Sequence, residues 1–152
     1  MKLLDAVLAW CSGHIPHLTS RSHLFLYRLT GKRLGSRLPG YRLLWLTTTG
    51  RTTGKQRTKP LLYLTDGSAY VVLASNDGAD TPPQWYLNLL RQPYATIEVN
   101  RSKIQVIATT ADAPERTRLW PIALKTYPLY EVVARRTRRE IPVVILRPTI
   151  AH

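Results

Sequence analysis

The feature that most constrains the fold is a succession of short β-rich runs, separated by turn signals, that begins after residue 41. The first run, 42–49, ends at a glycine-containing segment, and an Asp66-Gly67 pair marks a two-residue hairpin between the runs 57–65 and 69–75. Further strands are predicted over 96–99, 103–109 and 142–146, and helices over 84–91, 113–126 and 128–138. Short strands joined by hairpins, with few helices, favour a small antiparallel barrel over a doubly wound parallel sheet.

The residues before the first strand predict a helical arm. Apolar residues recur at helical spacing over 2–11, and a second amphipathic stretch covers 22–29. Asp5 interrupts the apolar run, so neither a signal peptide nor a membrane-spanning helix is predicted. We therefore divide the chain into an N-terminal amphipathic helical arm, 1–38, and a barrel domain, 39–152. The arm either caps the core or makes a peripheral contact with an anionic membrane surface.

Composition bounds the remaining choices. The chain has 152 residues, of which 44% are hydrophobic and 20% charged, as expected for one folded domain. Cys11 is its only cysteine, which excludes an internal disulfide framework and a cysteine-rich zinc site. The four histidines lie outside the middle of the chain, so no metal site is predicted. A reducing, cytoplasmic location is expected, and the inner face of the cell membrane is the alternative if the arm binds lipid.

The distribution of charge points to an anionic partner. Residues 1–60 contain eleven basic side chains and one acidic side chain, so this segment carries +10 of the net +13. Such a one-sided field attracts nucleic acid, acidic lipid head groups or a polyanionic cofactor, and charge alone does not choose among them.

The most suggestive local segment is 47–57, TTTGRTTGKQR. Its two glycines allow backbone amides to turn toward a ligand, and Arg51, Lys55 and Arg57 surround them, so the turn is suited to phosphate or carboxylate. The spacing of Gly50 and Gly54 does not fit a P-loop, and there is no dinucleotide-binding fingerprint. A solvated hairpin tip with ordinary basic residues is the alternative.

Two other clusters could carry chemistry. Ala74, Ser75 and Asn76 precede a predicted helix in which Trp85 and Asn88 lie one turn apart, an arrangement that could form a wall for a flat ring. The alternative is that Trp85 packs in the core and Asn88 makes a capping contact. In the third cluster, Trp120 lies near Tyr127 and Tyr130, which are also one turn apart and could donate a proton, stabilise an oxyanion, or simply pack. The basic run 135–139 is either a solvated face or a contact for an anionic group.

Together these clusters resemble the deazaflavin-dependent nitroreductase family. The segments TTTGRTTGKQRTKPLLYL, VVLASNDGA, PPQWYLNL, LWPIALKTYPLYE and EIPVVILRP occur in the family's order and spacing, and the resemblance covers residues 25–148. It implies a split antiparallel β-barrel like that of pyridoxamine-phosphate oxidases. It also implies coenzyme F420, an 8-hydroxy-5-deazaflavin with a phosphate and an oligoglutamate tail, whose negative charge would complement the basic segment.

The resemblance implies a role for each cluster. The basic turn would bind phosphate and glutamate carboxylates, the strand after it would lie along the deazaflavin ring, and the segment after the hairpin would lie at the ring's other edge. The implied coenzyme contacts are Thr49, Arg51, Thr52, Lys55, Arg57, Thr58, Lys59, Pro60, Ala74, Ser75, Asn76, Trp85 and Asn88. Ser75, Tyr127 and Tyr130 would face the substrate and act in catalysis, and no metal is implied.

The implied reaction is transfer of a hydride from the reduced coenzyme to a small-molecule electron acceptor. The acceptor would be a quinone, an activated enone or a nitroaromatic compound. Two positions depart from the family pattern, because Asn76 replaces a common lysine and Val133 replaces a tyrosine of the best-known nitroreductases. The loss of that tyrosine ring argues against activity on bulky nitroimidazoles.

Other functions of a small basic barrel stay open at this point. An FMN-dependent oxidase and a non-catalytic carrier of a tetrapyrrole or fatty acid are alternatives within the same fold. A module for single-stranded nucleic acid is a third, but Trp45 and Tyr63 are flanked by leucines rather than interleaved with basic residues, so no nucleic-acid partner is expected. Either a monomer or a homodimer is compatible with the sequence.

Overall fold

The computed structural model describes residues 41–149, which form seven β-strands and three α-helices. The strands are β1 Leu43–Thr49, β2 Gln56–Leu62, β3 Leu64–Asp66, β4 Ala69–Leu73, β5 Tyr94–Val99, β6 Ser102–Thr110 and β7 Val143–Pro148. The helices are α1 Gln84–Arg91, α2 Ala113–Thr126 and α3 Leu129–Arg135. These elements match the strands and helices predicted from the sequence to within a few residues at each end. The predicted arm, 1–38, lies outside the described residues, and its membrane contact and the division at residue 39 stay predictions.

All strand pairs are antiparallel, and the strand order is β2-β1-β5-β6-β7-β4-β3. β2 and β3 therefore lie at opposite ends of this order, although only Tyr63 separates them along the chain. The two ends of the sheet must come close together, so the sheet curls into a barrel whose seam is at Tyr63. The small antiparallel barrel predicted from the sequence is confirmed. The single strand predicted over 57–65 is wrong in one respect, because the chain pairs with β1 before Tyr63 and with β4 after it.

The concave face of the sheet encloses the first core cluster. Leu44 and Leu46 of β1 contribute to it, and helix α1 closes it with Trp85 and Leu89. The other buried members are Tyr63, Val72, Ala74, Ala95, Ile97, Val99, Val106, Ala108, Val144 and Leu146. The alternation of buried residues along β5 follows from the two-residue period of a strand, which turns every second side chain toward the interior.

A second core cluster joins α2 and α3 to the convex face of β4 and β7. Val71, Val143 and Ile145 of the sheet pack against Leu119 and Tyr130 of the helices. Helix α2 begins at a capping box, in which the Asp112 side chain accepts a hydrogen bond from the Glu115 amide while the Glu115 side chain accepts one from the Asp112 amide. Within residues 41–149, no helix is both long and apolar enough to cross a membrane.

Candidate functional site

The turn between β1 and β2 is tightly closed by its own backbone. The Gly50 amide donates to the Lys55 carbonyl at 2.8 Å, and the Gly54 amide donates to the Gly50 carbonyl at 2.8 Å. Gly54 has a φ of +68°, and a Cβ on Gly50 would lie 2.7 Å from the Thr53 hydroxyl oxygen. The two glycines are thus required by the turn itself, since one has a left-handed backbone and the other has no room for a side chain. The turn presents Arg51 and Lys55 to solvent.

The surroundings of this turn contain no compensating negative charge in the sequence. From Tyr41 to Thr65 there are five basic and no acidic side chains. The ion pairs among the described residues join carboxylates to Arg116, Arg118, Arg135 and Arg147, and not to Arg51, Lys55 or Arg57. A run of exposed cations with no acidic residue in the same stretch of sequence is chemically suited to an anion with several charges.

The register of β2 divides its side chains between two faces. Arg57 and Lys59 lie opposite Thr48 and Leu46, and directly opposite residues of an antiparallel pair share a face, so both belong to the concave side of the sheet. Thr58 and Pro60 lie opposite Thr47 and Trp45, on the convex side. The hydroxyl oxygens of Thr47 and Thr58 are 2.8 Å apart and form a hydrogen bond there. Of the predicted ring contacts from β2, only Lys59 therefore shares a face with Arg57.

Asn88 connects helix α1 to the turn. Its side-chain oxygen accepts hydrogen bonds from the Arg51 amide at 3.2 Å and from Arg51 Nη1 at 3.1 Å, and its amide nitrogen donates to the Thr48 hydroxyl at 3.1 Å. Arg51 Nη1 also donates to Gln84 Oε1 at 2.9 Å. Asn88 and Thr48 are both buried, so these bonds replace the water that the two groups lose. Asn88 thus holds Arg51 in a defined orientation. The contribution from Gln84 was not predicted, because no local pattern marks it.

Two substitutions of Asn88 distinguish the effect of orienting Arg51 from the effect of neutralising its charge. Asn88→Asp keeps the acceptor oxygen that Arg51 uses, replaces the amide donor to Thr48 by a second oxygen and adds a negative charge beside the guanidinium. Asn88→Ala removes the bonds and adds no charge. We expect both variants to bind a polyanionic ligand more weakly, and only Asn88→Asp to show a shallower salt dependence, because Arg51 is then already neutralised. Equilibrium titration at low and high ionic strength measures the difference. Equal salt dependence in the two variants would contradict the orientation of Arg51 described above.

The segment after β4 is the second part of the candidate site. Ala74 is buried at the end of the concave face, and Ser75 and Asn76 follow it. Asn76, Asp77 and Gly78 have φ values of 47°, 54° and 78°, so three consecutive residues adopt the left-handed conformation. The Asn76 side chain donates to the Thr81 carbonyl at 2.9 Å. We call residues 74–79 the Ser75 loop. The chain after this loop continues into α1, where Gln84 and Asn88 accept hydrogen bonds from Arg51 of the basic turn.

The aromatic residues predicted to line the site are largely buried. Trp85 belongs to the first core cluster and is 7% exposed, so it packs inside the barrel. Tyr127 is 2% exposed, stacks on Tyr41 with ring centres 5.7 Å apart and meets the edge of Tyr130 at 6.1 Å. Trp120 lies on α2, where the Arg116 guanidinium stands 4.6 Å from its ring centre.

The Tyr127 hydroxyl closes the barrel seam. It donates to the Tyr63 carbonyl at 2.8 Å and accepts from the Arg42 amide at 3.2 Å, while the Tyr63 amide donates directly to the Arg42 carbonyl at 3.1 Å. Arg42 and Tyr63 thus face each other like an antiparallel pair, whose two residues normally exchange two backbone hydrogen bonds. One of these bonds forms directly, and the Tyr127 hydroxyl bridges the amide and the carbonyl that would form the other. Burial raises the pKa of Tyr127, which keeps the hydroxyl protonated and able to donate. This geometry gives the Tyr127 hydroxyl a structural role at the seam, and its predicted catalytic role stays a prediction.

Val133, which stands where the best-known nitroreductases have a tyrosine, is 3% exposed and belongs to the second core cluster with Tyr130. Its carbonyl oxygen would lie 2.8 Å from a Cβ on Gly78. α3 therefore packs directly against the Ser75 loop. A tyrosine at position 133 would need more space than this packing leaves.

The structure thus brings the predicted residues together in two groups. Arg51, Lys55, Arg57, Lys59 and Asn88 form a basic group at the β1–β2 turn and the concave edge of β2. Ala74, Ser75 and Asn76 belong to a second group, the loop that packs against α3 at Gly78, and Tyr130 of α3 is buried in the second core cluster. Thr49 accepts a hydrogen bond from the Gln56 side chain at 3.0 Å, and Thr52 is exposed on the turn.

Comparisons with known proteins identify the family. A family model described as F420H2-dependent quinone reductase matches residues 19–148. An F420H2-dependent quinone reductase of Mycobacterium tuberculosis (strain ATCC 25618 / H37Rv) is 38% identical over 141 residues, which are 90% of this chain and 95% of that protein.

Solved structures agree on the fold. A structure described as an F420-H2 dependent reductase (FDR-A) superposes with a TM-score of 0.64 and 30% identity, and the match covers 69% of this chain and 93% of that one. A pyridoxamine 5'-phosphate oxidase-like protein from Listeria innocua has a TM-score of 0.51 and 13% identity, covering 71% of this chain and 84% of that one, which shows a shared fold alone. The split-barrel prediction is thereby confirmed. The chain belongs to the F420H2-dependent quinone reductase family, a family of oxidoreductase enzymes whose cofactor is the deazaflavin coenzyme F420.

Proposed function

We propose that this protein binds reduced coenzyme F420 and catalyses reduction of a quinone. The observation that carries the proposal is the basic turn at 50–57 in a member of this family, where Arg51, Lys55 and Arg57 belong to a stretch, 41–65, that has five basic and no acidic side chains. When bound, the reduced coenzyme supplies a hydride from its C5 carbon, and the quinone with one further proton becomes a hydroquinone. The protein contributes binding, orientation and electrostatics.

The residues present fit the charge of the coenzyme. Its phosphate and oligoglutamate tail require several cationic donors, and Arg51 is already oriented by Asn88 and Gln84 before any ligand arrives. A guanidinium held in place loses less side-chain entropy when it binds a carboxylate or phosphate than a free one does. We assign Arg51, Lys55 and Arg57 to the anionic tail and Lys59, on the same face as Arg57, to the region next to the ring. The roles of Thr49, Thr52, Thr58, Pro60, Trp85 and Asn76 stay predictions.

The acceptor side is assigned to the Ser75 loop. Ser75 is half-buried and follows Ala74 of the barrel core. We assign its hydroxyl to donate to an oxygen that gains negative charge during reduction. Tyr130 is a second candidate proton donor on α3. Tyr127 supports this side through the barrel seam rather than through contact with the acceptor. Catalysis by Ser75 and Tyr130 stays a prediction.

A quinone is the favoured acceptor because the family is named for quinone reduction. Activated enones and nitroaromatic compounds are electrophiles of the same kind and are secondary candidates. An arm over 1–38 that binds an anionic membrane would bring the enzyme to lipid-soluble quinones, and this contact is part of the proposal. It predicts that the full chain sediments with anionic vesicles and not with neutral ones.

Two measurements test the proposal. Fluorescence titration with oxidised coenzyme F420 should give saturable quenching, whereas FMN should bind more weakly. The reduced coenzyme should then be oxidised in the presence of menadione, a soluble quinone, in proportion to enzyme concentration. Clear binding of FMN without binding of F420 would support an FMN-dependent oxidase instead. Binding of F420 without turnover of any quinone, enone or nitroaromatic acceptor would support a carrier.

A further inference from the structure

Arg139 reaches the Ser75 loop from the connection between α3 and β7. Its Nη2 donates to the Ser75 carbonyl at 2.8 Å and to the Ala74 carbonyl at 3.2 Å, and its Nε donates to the Ala79 carbonyl at 2.8 Å. One guanidinium thus binds both ends of a six-residue loop from 60 to 65 positions away in the sequence. Its other nitrogen, Nη1, is buried as well.

The loop needs such a partner because its backbone leaves the sheet at this point. The Ala74 amide still donates to the Pro142 carbonyl at 2.9 Å, but the next residues turn away through the three left-handed positions. Within the loop, the Gly78 amide donates to the Ser75 carbonyl at 2.9 Å and the Ala79 amide to the Asn76 carbonyl at 3.0 Å. Each left-handed residue other than glycine costs of the order of 1 kcal/mol, so this conformation requires support from its surroundings.

The same region of the chain supports the loop on its other side. A Cβ on Gly78 would lie 2.7 Å from Arg136 Cβ and 2.8 Å from the Val133 carbonyl oxygen. α3 and the residue after it therefore contact the loop closely at Gly78, while Arg139 forms hydrogen bonds with both ends of the loop. The loop is enclosed between these contacts, and the position of Ser75 is fixed by them.

We propose that Arg139 is a positioning residue that fixes the Ser75 loop, and through it the Ser75 hydroxyl, in the orientation used for the acceptor. This inference rests on the proposed function for its catalytic part, whereas the control of loop structure by Arg139 does not. Arg139 acts through backbone carbonyls and does not touch the reacting groups. A lysine cannot replace it fully, because an ammonium group is a compact point charge, whereas the guanidinium spreads donors in a planar fork that reaches three carbonyls.

The test compares Arg139→Ala and Arg139→Lys with Arg138→Ala, which removes the same charge from an exposed neighbour. We expect Arg139→Ala to lower kcat/KM for menadione by about 10- to 100-fold, the size of effect that a misplaced catalytic group produces. The Kd of the coenzyme should change less than twofold, and Arg139→Lys should lie between the two. Millimolar guanidinium chloride should restore part of the activity of Arg139→Ala, and sodium chloride at equal concentration should not.

Hydrogen exchange gives a readout that does not depend on turnover. The Gly78 and Ala79 amides should exchange faster in Arg139→Ala than in Arg138→Ala, while amides of β5 and β6 should stay unchanged. If Arg139→Ala fails to fold, Arg139→Lys and Gly78→Ala serve instead, because the second variant displaces the loop from the α3 side and should weaken acceptor use in the same way.

Three outcomes would overturn the inference. They are equal kinetics of the position-139 variants and Arg138→Ala, unchanged exchange at Gly78 and Ala79, or an increase in coenzyme Kd as large as the loss in kcat/KM. If the wild-type protein itself does not bind coenzyme F420, the proposed function fails, and the exchange measurement still decides whether Arg139 holds the loop.

Discussion

Arg57→Ala is expected to raise the Kd of coenzyme F420 by about 10- to 100-fold at low ionic strength, because a charge-assisted hydrogen bond contributes about 1.5–3 kcal/mol. Arg57 is exposed, lies on the concave side of β2 opposite Thr48 and stands two positions from Lys55 and from Lys59 in the sequence. The loss should shrink as salt is added, since mobile ions screen the attraction between the exposed guanidinium and the coenzyme tail. Fluorescence titration at two or more ionic strengths measures both effects.

Lys103→Ala is the matched control for this prediction. Lys103 is also an exposed cation on the sheet, but it lies opposite Glu98 next to the β5–β6 turn, and that turn is at the other end of β1 from the basic turn. Its removal changes net charge by the same amount and should leave the Kd within about twofold. If Arg57→Ala and Lys103→Ala weaken binding equally, the coenzyme responds to overall charge and the basic turn is not its binding site.

Tyr127→Phe is expected to destabilise the folded protein by about 2–4 kcal/mol, because removal of the hydroxyl leaves the Tyr63 carbonyl and the Arg42 amide without their partner. The phenylalanine ring would still fill the space beside Tyr41 and Tyr130, so the strands stay apart and the direct hydrogen bond cannot form easily. The melting temperature should fall by roughly 5–10 °C. Chemical denaturation followed by fluorescence gives the corresponding change in unfolding free energy.

Tyr94→Phe is the control, since Tyr94 is 60% exposed and its hydroxyl reaches solvent. It should leave stability within about 0.5 kcal/mol of the wild type. The comparison also separates structural from catalytic roles of Tyr127. At a temperature well below melting, Tyr127→Phe should keep most of the wild-type kcat, and a loss of kcat with unchanged stability would instead assign its hydroxyl to catalysis.

The two groups of the candidate site differ in how they are held. The basic turn is closed by local hydrogen bonds, and Arg51 ties it to helix α1 through Asn88 and Gln84. The Ser75 loop depends on Arg139 and α3, both far along the chain. Substitutions at the turn should therefore change coenzyme affinity with little effect on folding, whereas substitutions around the Ser75 loop should change acceptor use through structure.

Most strands, the helices, the antiparallel class and the basic turn could be predicted from the sequence, because these features follow from local patterns. Alternation of apolar residues defines a strand, Asp66-Gly67 defines a hairpin, and clustered cations at 51–57 define an anion-binding segment without reference to the rest of the chain. The prediction of coenzyme F420 rested on the resemblance of several such segments, in a fixed order, to a known family. Membership of the F420H2-dependent quinone reductase family supports it.

The hydrogen-bond partners of the polar side chains could not be predicted from the sequence, because they depend on the tertiary fold. The break at Tyr63, the Tyr127 hydroxyl at the seam, the Asn88 link to Arg51 and the Arg139 contacts join residues 37–85 positions apart. A hydroxyl, an amide or a guanidinium can serve a ligand or a buried carbonyl equally well, and its residue type does not reveal which. Burial makes the choice, because a polar group removed from water must find its hydrogen bonds among whichever groups the fold brings next to it.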